Sequence, residues 1–596
     1  MKLELLLLSI CISTASAQAQ QLLRTVSGAV GDQFGTAMIL AGDQNGDGFQ
    51  DVLVSAIGAV NGNSSGAINC ISGAYLATGT GLTILWSLTP LILQQGQAFG
   101  TSMASIGDVT GDSVPDFAVG APNFSSTSSS GQQHREGIVY LVDGALHQHI
   151  GFATGVFQSC LGQAIANIGD VDNDGMDDLA VSGLTTTLST SHVFVVHAST
   201  LLAGGSLNNM SNVQSTGQLG FGTSLASGFD MNGDGHSDVL IGSPLQDAPG
   251  GLTDAGRLVV WNPLVSNSVL FSVFSNVAGE HLGESVDASS DYDGDGRPDF
   301  VVGGPNWLSP GNREDGRVIV FSSARIAANS PPFELYTLTG GSAGIGAGLG
   351  WGFGTAVRGT EDLNNDGVGD LLVGMPRYPV VPFGANRGAA RVYSGATGVR
   401  LVGVTGVNTE KLGDELLGSI GDLDGDGFAE FLVAGSLSNT PAANCGSLRC
   451  YRLFPCAPST YCTAKINSQG CTPAMSFSGS PSATSPAPFL VKCANVLNNK
   501  PGLLLYSHKP SATAFQGGLL CVSAPIKRVA SQNSDGSPTG VDCTGNFSFD
   551  FTPRIHGGAD PTLVAGAEIF CQYWSRDPQS IGGSSLSNGV RSLINP

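Results

Sequence analysis

Residues 42–51 read GDQNGDGFQD, and the phrase returns as GDVTGDSVPD at 107–116, GDVDNDGMDD at 169–178, FDMNGDGHSD at 229–238, SDYDGDGRPD at 290–299, EDLNNDGVGD at 361–370 and GDLDGDGFAE at 421–430. The copies stand 60 to 71 residues apart. Counted from its first acid, each places oxygen-bearing side chains at positions 1, 3, 5 and 9, and all but one place Gly at position 6. This is the spacing of a calcium loop. A hard cation takes six to eight oxygens at about 2.3 to 2.6 Å, so alternate residues of a tight turn must point inward.

The ligand set that this register names is Asp43, Asn45, Asp47 and Asp51; Asp108, Thr110, Asp112 and Asp116; Asp170, Asp172, Asp174 and Asp178; and Asp230, Asn232, Asp234 and Asp238. The last three loops supply Asp291, Asp293, Asp295 and Asp299; Asp362, Asn364, Asp366 and Asp370; and Asp422, Asp424, Asp426 and Glu430. In the second loop Ser113 replaces the glycine and Thr110 offers only a hydroxyl, so this loop is expected to bind most weakly. Metal-free turns, in which Asp and Asn bond nearby backbone, use the same residue types. Three or four carboxylates within nine residues repel one another unless a cation neutralises them, which favours calcium. An EF-hand is excluded, since strand-like residues follow where a bidentate Glu and a helix would be needed.

The chain's charge follows from these loops. Of its 47 acids, 24 stand at the ligand positions, and the remaining 23 face 25 Lys and Arg. The formal net charge of −22 is therefore local to the loops, and seven bound dications would bring it to −8. No basic patch rises above this background, which argues against nucleic acid as a partner.

A larger unit repeats around each loop. Before it comes an aromatic residue or Leu followed by Gly: Phe34-Gly35, Phe99-Gly100, Leu161-Gly162, Phe221-Gly222, Leu282-Gly283, Phe353-Gly354 and Leu412-Gly413. After it comes an apolar run such as DVLVSA, DFAVGAP or DLLVGMP, which marks a strand buried on both faces. A variable loop then leads to a strand such as GRLVVWNP or GRVIVFSS, and a fourth apolar stretch such as FELYTLTG follows. Four short strands per repeat, seven times over, with Gly-rich turns, predict a seven-bladed β-propeller. The seventh repeat stops after SLRCYRLF, while LLRTVSG near the start is a spare fourth strand. Leu22–Ser27 is thus expected to complete the last blade and remove the open edge.

With FG, acidic loop and GAP in this order, residues 22–455 resemble the FG-GAP repeats of the integrin α-subunit propeller. GAP itself stands only at Gly120-Ala121-Pro122, with GSP, GGP and GMP elsewhere. The resemblance implies calcium on one face of the propeller and partner binding on the opposite face. On that face the longest loops, 122–137, 244–256, 305–316 and 376–388, display Arg135, Trp307, Arg313, Arg377, Tyr378 and Phe383. Local packing of these aromatics under their own loops is the competing expectation. An inserted von Willebrand-type domain, a transmembrane helix and a cytoplasmic tail are not seen in the sequence.

The first 19 residues, MKLELLLLSICISTASAQA, have a charged start, an apolar run and small residues at Ala15 and Ala17, the pattern of a cleaved signal peptide. The apolar run is too short to span a bilayer, and Ile10 disfavours a lipid anchor at Cys11. A secreted or cell-surface location follows, where millimolar calcium fills weak sites. Of the eleven later cysteines, nine crowd between Cys445 and Cys571, in a compartment that permits disulfides whose pairing the sequence leaves open. Residues 456–596 carry about seven short strands, among them PFLVKCANVL, GLLLYSH and AEIFCQYWSRDP, and predict a small disulfide-containing β-sandwich.

The chain is therefore expected to be all-β, with a signal peptide at 1–19, a propeller at 20–455 and the Cys-rich module at 456–596. Its function is expected to be that of a calcium-binding adhesion or ligand-binding module for an extracellular protein or glycan, without nucleic-acid binding or a membrane span. The alternative is an extracellular carbohydrate-directed enzyme with its site on the variable-loop face. Catalysis finds little in the residues. GNSSG at 62–66 lacks the strand-to-helix elbow that would expose Ser64. The histidines are scattered, with no carboxylate or Cys at zinc-ligand spacing.

Overall fold

The computed structural model describes residues 18–594 apart from 60–64, 128–132, 157–158, 184–190, 207–211, 215–219, 310–312, 341–350, 365, 379–385, 408, 424–428, 440–442, 456–458, 480, 559 and 565–566. The protein is all-β apart from a few helices of three to six residues among the described residues. It falls into two compact units, Gln20–Leu453 and one that includes Phe454–Pro596.

Within Gln20–Leu453 each repeat forms one sheet of mainly antiparallel strands, and the sheet of repeat two adds Gly205–Ser206 in parallel. Repeat one is built from Phe34–Gly42, Asp51–Ala56, Ala67–Ile71 and Ile84–Leu88, paired in chain order. The other six repeats open with Ser102–Ser105, Leu161–Gly169, Ser224–Phe229, Ser285–Ser290, Val357–Gly359 and Glu415–Ser419. Gln18–Ser27 pairs with Ser447–Pro455, so the seventh sheet takes its outer strand from the start of the chain. The first strand of each repeat packs against the first strand of the next, and Glu415–Ser419 packs against Phe34–Gly42. The second strands are buried at every residue in all seven repeats, including Asp178–Gly183 and Asp299–Gly304. Their continuous apolar runs arise because neighbours cover both faces, which removes about 1.5 to 3 kcal/mol worth of apolar surface per large side chain from water.

The repeated FG and GAP phrases are the two sides of one contact. Leu282 bridges Gly256 of the preceding repeat in parallel, and the same bridge joins Phe99 to Gly66, Leu161 to Gly137, Leu412 to Gly388 and Phe34 to Gly446. A Cβ on Gly256 would lie 2.2 Å from the Leu282 nitrogen. One strand over, a Cβ on Gly242 would lie 2.1 Å from the Gly283 carbonyl oxygen, and one on Gly303 would lie 2.0 Å from that of Gly354. Glycine is required because backbone meets backbone.

The unit that includes Phe454–Pro596 packs two sheets across one core. Leu490–Val496 lies between Ala474–Ser478 and Gly545–Asp550, and Glu568–Arg576 lies between Pro501–Ser507 and Ser584–Leu593. Met475, Val491 and Phe547 of the first sheet share a cluster with Leu504, Tyr506, Ile569 and Tyr573 of the second. Disulfides join Cys462 to Cys521 and Cys471 to Cys543, across separations of 59 and 72 residues, which limits the freedom of the unfolded chain. Cys493 and Cys571 are buried in the same core as small apolar groups.

Where the first strands of repeats one, five, six and seven converge, a cavity of about 570 Å³ is lined by Leu40, Asp287, Ser290, Arg358, Thr360 and Leu417, among others. Arg358 reaches Asp287 at 3.1 Å and Glu415 at 3.7 Å. Burial raises Glu415 to about 7, with Asp414 beside it adding to the shift and Arg358 opposing it; burial likewise raises Asp414 to about 6.

Two outcomes follow. Gly256→Ala and Gly250→Ala share a positive φ, +91° and +92°, but a Cβ on Gly250 meets nothing within 4 Å. Denaturant titration should show backbone strain of about 1–2 kcal/mol for Gly250→Ala. Gly256→Ala should lose at least about 1 kcal/mol more, and equal losses would refute the close-approach account. Glu415 has a folded-state pKa above its ordinary value, so its contribution is fully present below about pH 4 and is lost as pH rises through about 7. Wild type should therefore lose on the order of 2 kcal/mol more than Glu415→Gln between pH 4 and pH 8, with parallel curves counting against it.

Candidate metal sites

Each acidic loop joins the first and second strands of its repeat. In loop one Asp43 accepts the N–H groups of Gly46 and Gly48 at 2.8 Å and of Asp47 at 3.1 Å. The Asn45 side-chain oxygen accepts Asp47 N–H at 3.0 Å, and Asp47 accepts Phe49 N–H at 2.9 Å. The turn thereby brings the side chains at positions 1, 3 and 5 to one side. The first acids Asp108, Asp170, Asp230, Asp291 and Asp362 hold the N–H at position 6 in the same way, from Ser113, Gly175, Gly235, Gly296 and Gly367 at 2.6 to 2.9 Å. Ser113 adopts the left-handed φ of +73° that the usual glycine would take, so loop two keeps its bend without glycine. Its N–H donates the strongest of the bonds that hold Asp108 below the usual carboxylate range.

The ninth-position acid does a second job that spacing alone does not reveal. Asp299 is fully buried, accepts Tyr292 N–H at 2.9 Å with one oxygen and accepts Ser323 N–H at 3.0 Å with the other. Asp51 clamps Gln44 and Gly73, Asp116 clamps Val109 and Gly144, Asp178 clamps Val171 and Ala198, and Asp370 clamps Leu363 and Gly395. This carboxylate ties the loop to the turn that follows the third strand. In Asp238 one oxygen accepts Met231 N–H at 2.8 Å, while the other is buried without a hydrogen-bond partner. Glu430 accepts Leu423 N–H at 2.6 Å; Asp424 and Asp426 lie outside the described residues.

Burial raises Asp51, Asp116 and Asp178 above the ordinary carboxylate range and brings Asp238, Asp299 and Asp370 to about 6, 7 and 8. For Asp51, Asp238, Asp299 and Asp370 the neighbouring loop acids push in the same direction. Single oxygens of Asp170, Asp172 and Asp174 lie within 4.8 Å of one another, as do those of Asp291, Asp293 and Asp295. Such a set of three carboxylates fits a hard dication. In loops one, four and six the position-3 amide of Asn45, Asn232 or Asn364 donates to the position-5 Asp at 2.9 Å, and half a turn of the amide presents its oxygen instead.

Sequence spacing missed the residue that follows the third strand. Asn262 donates to Asp234 at 2.7 Å, Ser394 donates to Asp366 at 2.9 Å, and His197 places Nδ1 3.2 Å from Asp172 and 3.1 Å from Asp178. The expectation that no carboxylate accompanies a histidine is thereby corrected: the pair is distant in sequence and joined by the sheet. Aligning the third-strand ends of the repeats would have exposed the position.

On the variable loops, Trp307 lies under the Arg317 guanidinium at 5.6 Å and Tyr378 packs edge-on against Trp351 at 5.3 Å. These two aromatics pack locally. Arg377 is exposed and donates to Asn306 at 2.7 Å, and Arg135 is exposed. Phe383, the Arg313 side chain and Ser64 lie outside the described residues.

The FG-GAP repeat model matches residues 99–142, 221–261 and 282–321. Each match runs from the aromatic or Leu that contacts the preceding repeat to the end of the third strand. The chain is 34% identical over 177 residues to integrin alpha-PS2 of Drosophila melanogaster, covering 29% of this chain and 11% of the relative. It is 28% identical over 222 residues to integrin alpha-5 of Xenopus laevis, covering 36% and 20%. It is 30% identical over 164 residues to integrin alpha-7 of Homo sapiens, covering 26% and 13%. The chain thus spans a fifth or less of the length of these relatives, and none of them supports the carbohydrate-directed enzyme. Three matched repeats and these relatives show that the chain is an integrin α-like FG-GAP repeat protein.

Proposed function

We propose that residues 20–455 form a closed seven-bladed β-propeller stiffened by calcium, and that the protein is an exported adhesion or ligand-binding module for an extracellular protein or glycan. Closure is supported by the packing of Glu415–Ser419 on Phe34–Gly42 and by the outer strand that Gln18–Ser27 contributes to the seventh sheet. Residues 1–19 act as the signal peptide in this reading, and 456–596 form the C-terminal sandwich. Among the described residues no helix is long and apolar enough to cross a membrane.

The observation that carries the calcium reading is the pairing of exposed or half-buried acids with a buried one in each of the first six loops. In loops three and five the acids at positions 1, 3 and 5 converge, while the ninth is held beneath them at a raised pKa. A cation at that point would draw on oxygens from both groups and lower the cost of keeping the ninth acid ionised. Its role is structural: it fixes the hairpin between first and second strands. Partner binding belongs to the opposite, variable-loop face, with Arg135 and Arg377 as its exposed cations, a placement taken from the resemblance to integrin α subunits.

Calorimetric melting of the mature protein should show a large, reversible fall in Tm when chelator replaces millimolar calcium. An unchanged melt with no calcium bound would defeat the reading. Two variants separate metal from scaffold. Asp295→Asn should lower Tm only in calcium and remove about one bound ion. Asp299→Asn should cost about 1–3 kcal/mol with or without calcium, because it weakens the clamp on Tyr292 and Ser323. For the partner, a glycan and extracellular-matrix array should retain the protein, and Arg135→Glu with Arg377→Glu should reduce retention at unchanged Tm.

A further inference from the structure

We propose that loop three binds a first-row transition dication, with Zn²⁺ the ion its donors suit, through Asp172, Asp178 and His197 Nδ1. The inference rests on the reading of these loops as metal sites and distinguishes one of them from the rest.

The position at the end of the third strand is occupied in other repeats by Ser72, Asp143, Asn262, Ser322 and Ser394. Each of these uses its side chain locally as an oxygen acceptor or as a donor to the loop. Ser72 and Ser322 accept N–H bonds from Tyr75 and Arg325, Asp143 accepts one from Leu146, and Asn262 and Ser394 donate to the fifth-position Asp. His197 occupies the same N-cap position, yet its side chain makes no capping bond to the helix Ala198–Ala203. Its Nδ1 is buried and turned instead to Asp172 and Asp178, at 3.2 and 3.1 Å. One donor atom from each of these three residues lies within 4.8 Å of the others.

Metal chemistry decides what such a set prefers. Calcium takes oxygen ligands, whereas an imidazole nitrogen favours later first-row ions. Zinc bonds of about 2.0 to 2.2 Å place neighbouring donors of a tetrahedron roughly 3.3 to 3.6 Å apart. The spacings from His197 Nδ1 to Asp172 and Asp178, 3.2 and 3.1 Å, lie just below this range. Asp178 is fully buried and Asp172 is 36% exposed, which gives the site a fixed floor and an open approach. The clamp from Asp178 to Ala198 N–H at 3.1 Å holds the base of the histidine turn against the loop.

The test strips the full mature chain with chelator, refills it with millimolar calcium and titrates Co²⁺, read by its visible absorption, with Zn²⁺ in competition. Wild type should retain one equivalent of Co²⁺ that Zn²⁺ displaces and calcium does not. His197→Asn should weaken that site about 10–100-fold or more while the calcium count of the other loops is unchanged. Ser322→His should add a second equivalent at the all-acid loop five, which keeps the proposal testable if His197→Asn does not fold. Equal Co²⁺ binding by wild type and His197→Asn would overturn it, as would displacement of Co²⁺ by equimolar calcium. That second outcome is expected if His197 acts only as a polar partner of the two carboxylates. Calcium counted in the same samples separates the two readings. Calcium in every loop without retained Co²⁺ defeats this inference alone, and Co²⁺ retained without calcium elsewhere defeats the calcium reading alone.

Discussion

Backbone packed against backbone between consecutive repeats is the constraint on which the rest depends. Gly256 against Leu282, Gly242 against Gly283 and Gly303 against Gly354 leave no room for a side chain. A contact this close fixes both the spacing and the relative rotation of neighbouring sheets, because backbone atoms have no rotamers with which to adjust. It also accounts for two sequence phrases at once. Within one repeat the FG glycine donates to the GAP glycine, Gly222 N–H to the Gly242 carbonyl at 2.9 Å, and the GAP glycine also meets the FG glycine of the next repeat, so each repeat is incomplete without its neighbour.

The acidic loops stand on this frame. Their ninth acid belongs to the interior: it begins the second strand, is buried with it, and binds N–H groups on the loop and on the turn after the third strand. A carboxylate in that position is stabilised by the bonds it accepts and destabilised by burial, and burial prevails, as the raised Asp299 and Asp370 show. The exposed acids above it add repulsion. The same residues therefore form a mechanical joint and an electrostatic demand for a cation, which explains why so acidic a loop coexists with so apolar a strand.

The two units solve the stability problem differently. Gln20–Leu453 repeats one contact and buries second strands on both faces, with Cys70 and Cys450 as small core residues. The unit that includes Phe454–Pro596 has a single core between two sheets and adds two long-range disulfides. A smaller core covers less apolar surface per residue, so covalent links contribute proportionately more there.

The sequence by itself determined the period, the four-strand unit, the all-β class and the places of the acidic loops, because these follow from local patterns that recur: alternate oxygens, a glycine at the bend, an apolar run. Ser113 shows the limit of even that legibility, since it holds a glycine's conformation that its identity does not announce. Only the tertiary structure decided which glycines face which backbone, that Asp51 and its equivalents tie loop to turn, and that Cys462 pairs with Cys521 and Cys471 with Cys543. It alone brought His197 to Asp172 and Asp178, across 25 and 19 residues of chain. Periodic local structure is written in near neighbours, whereas pairings across a sheet depend on register, which is fixed only when the whole repeat packs.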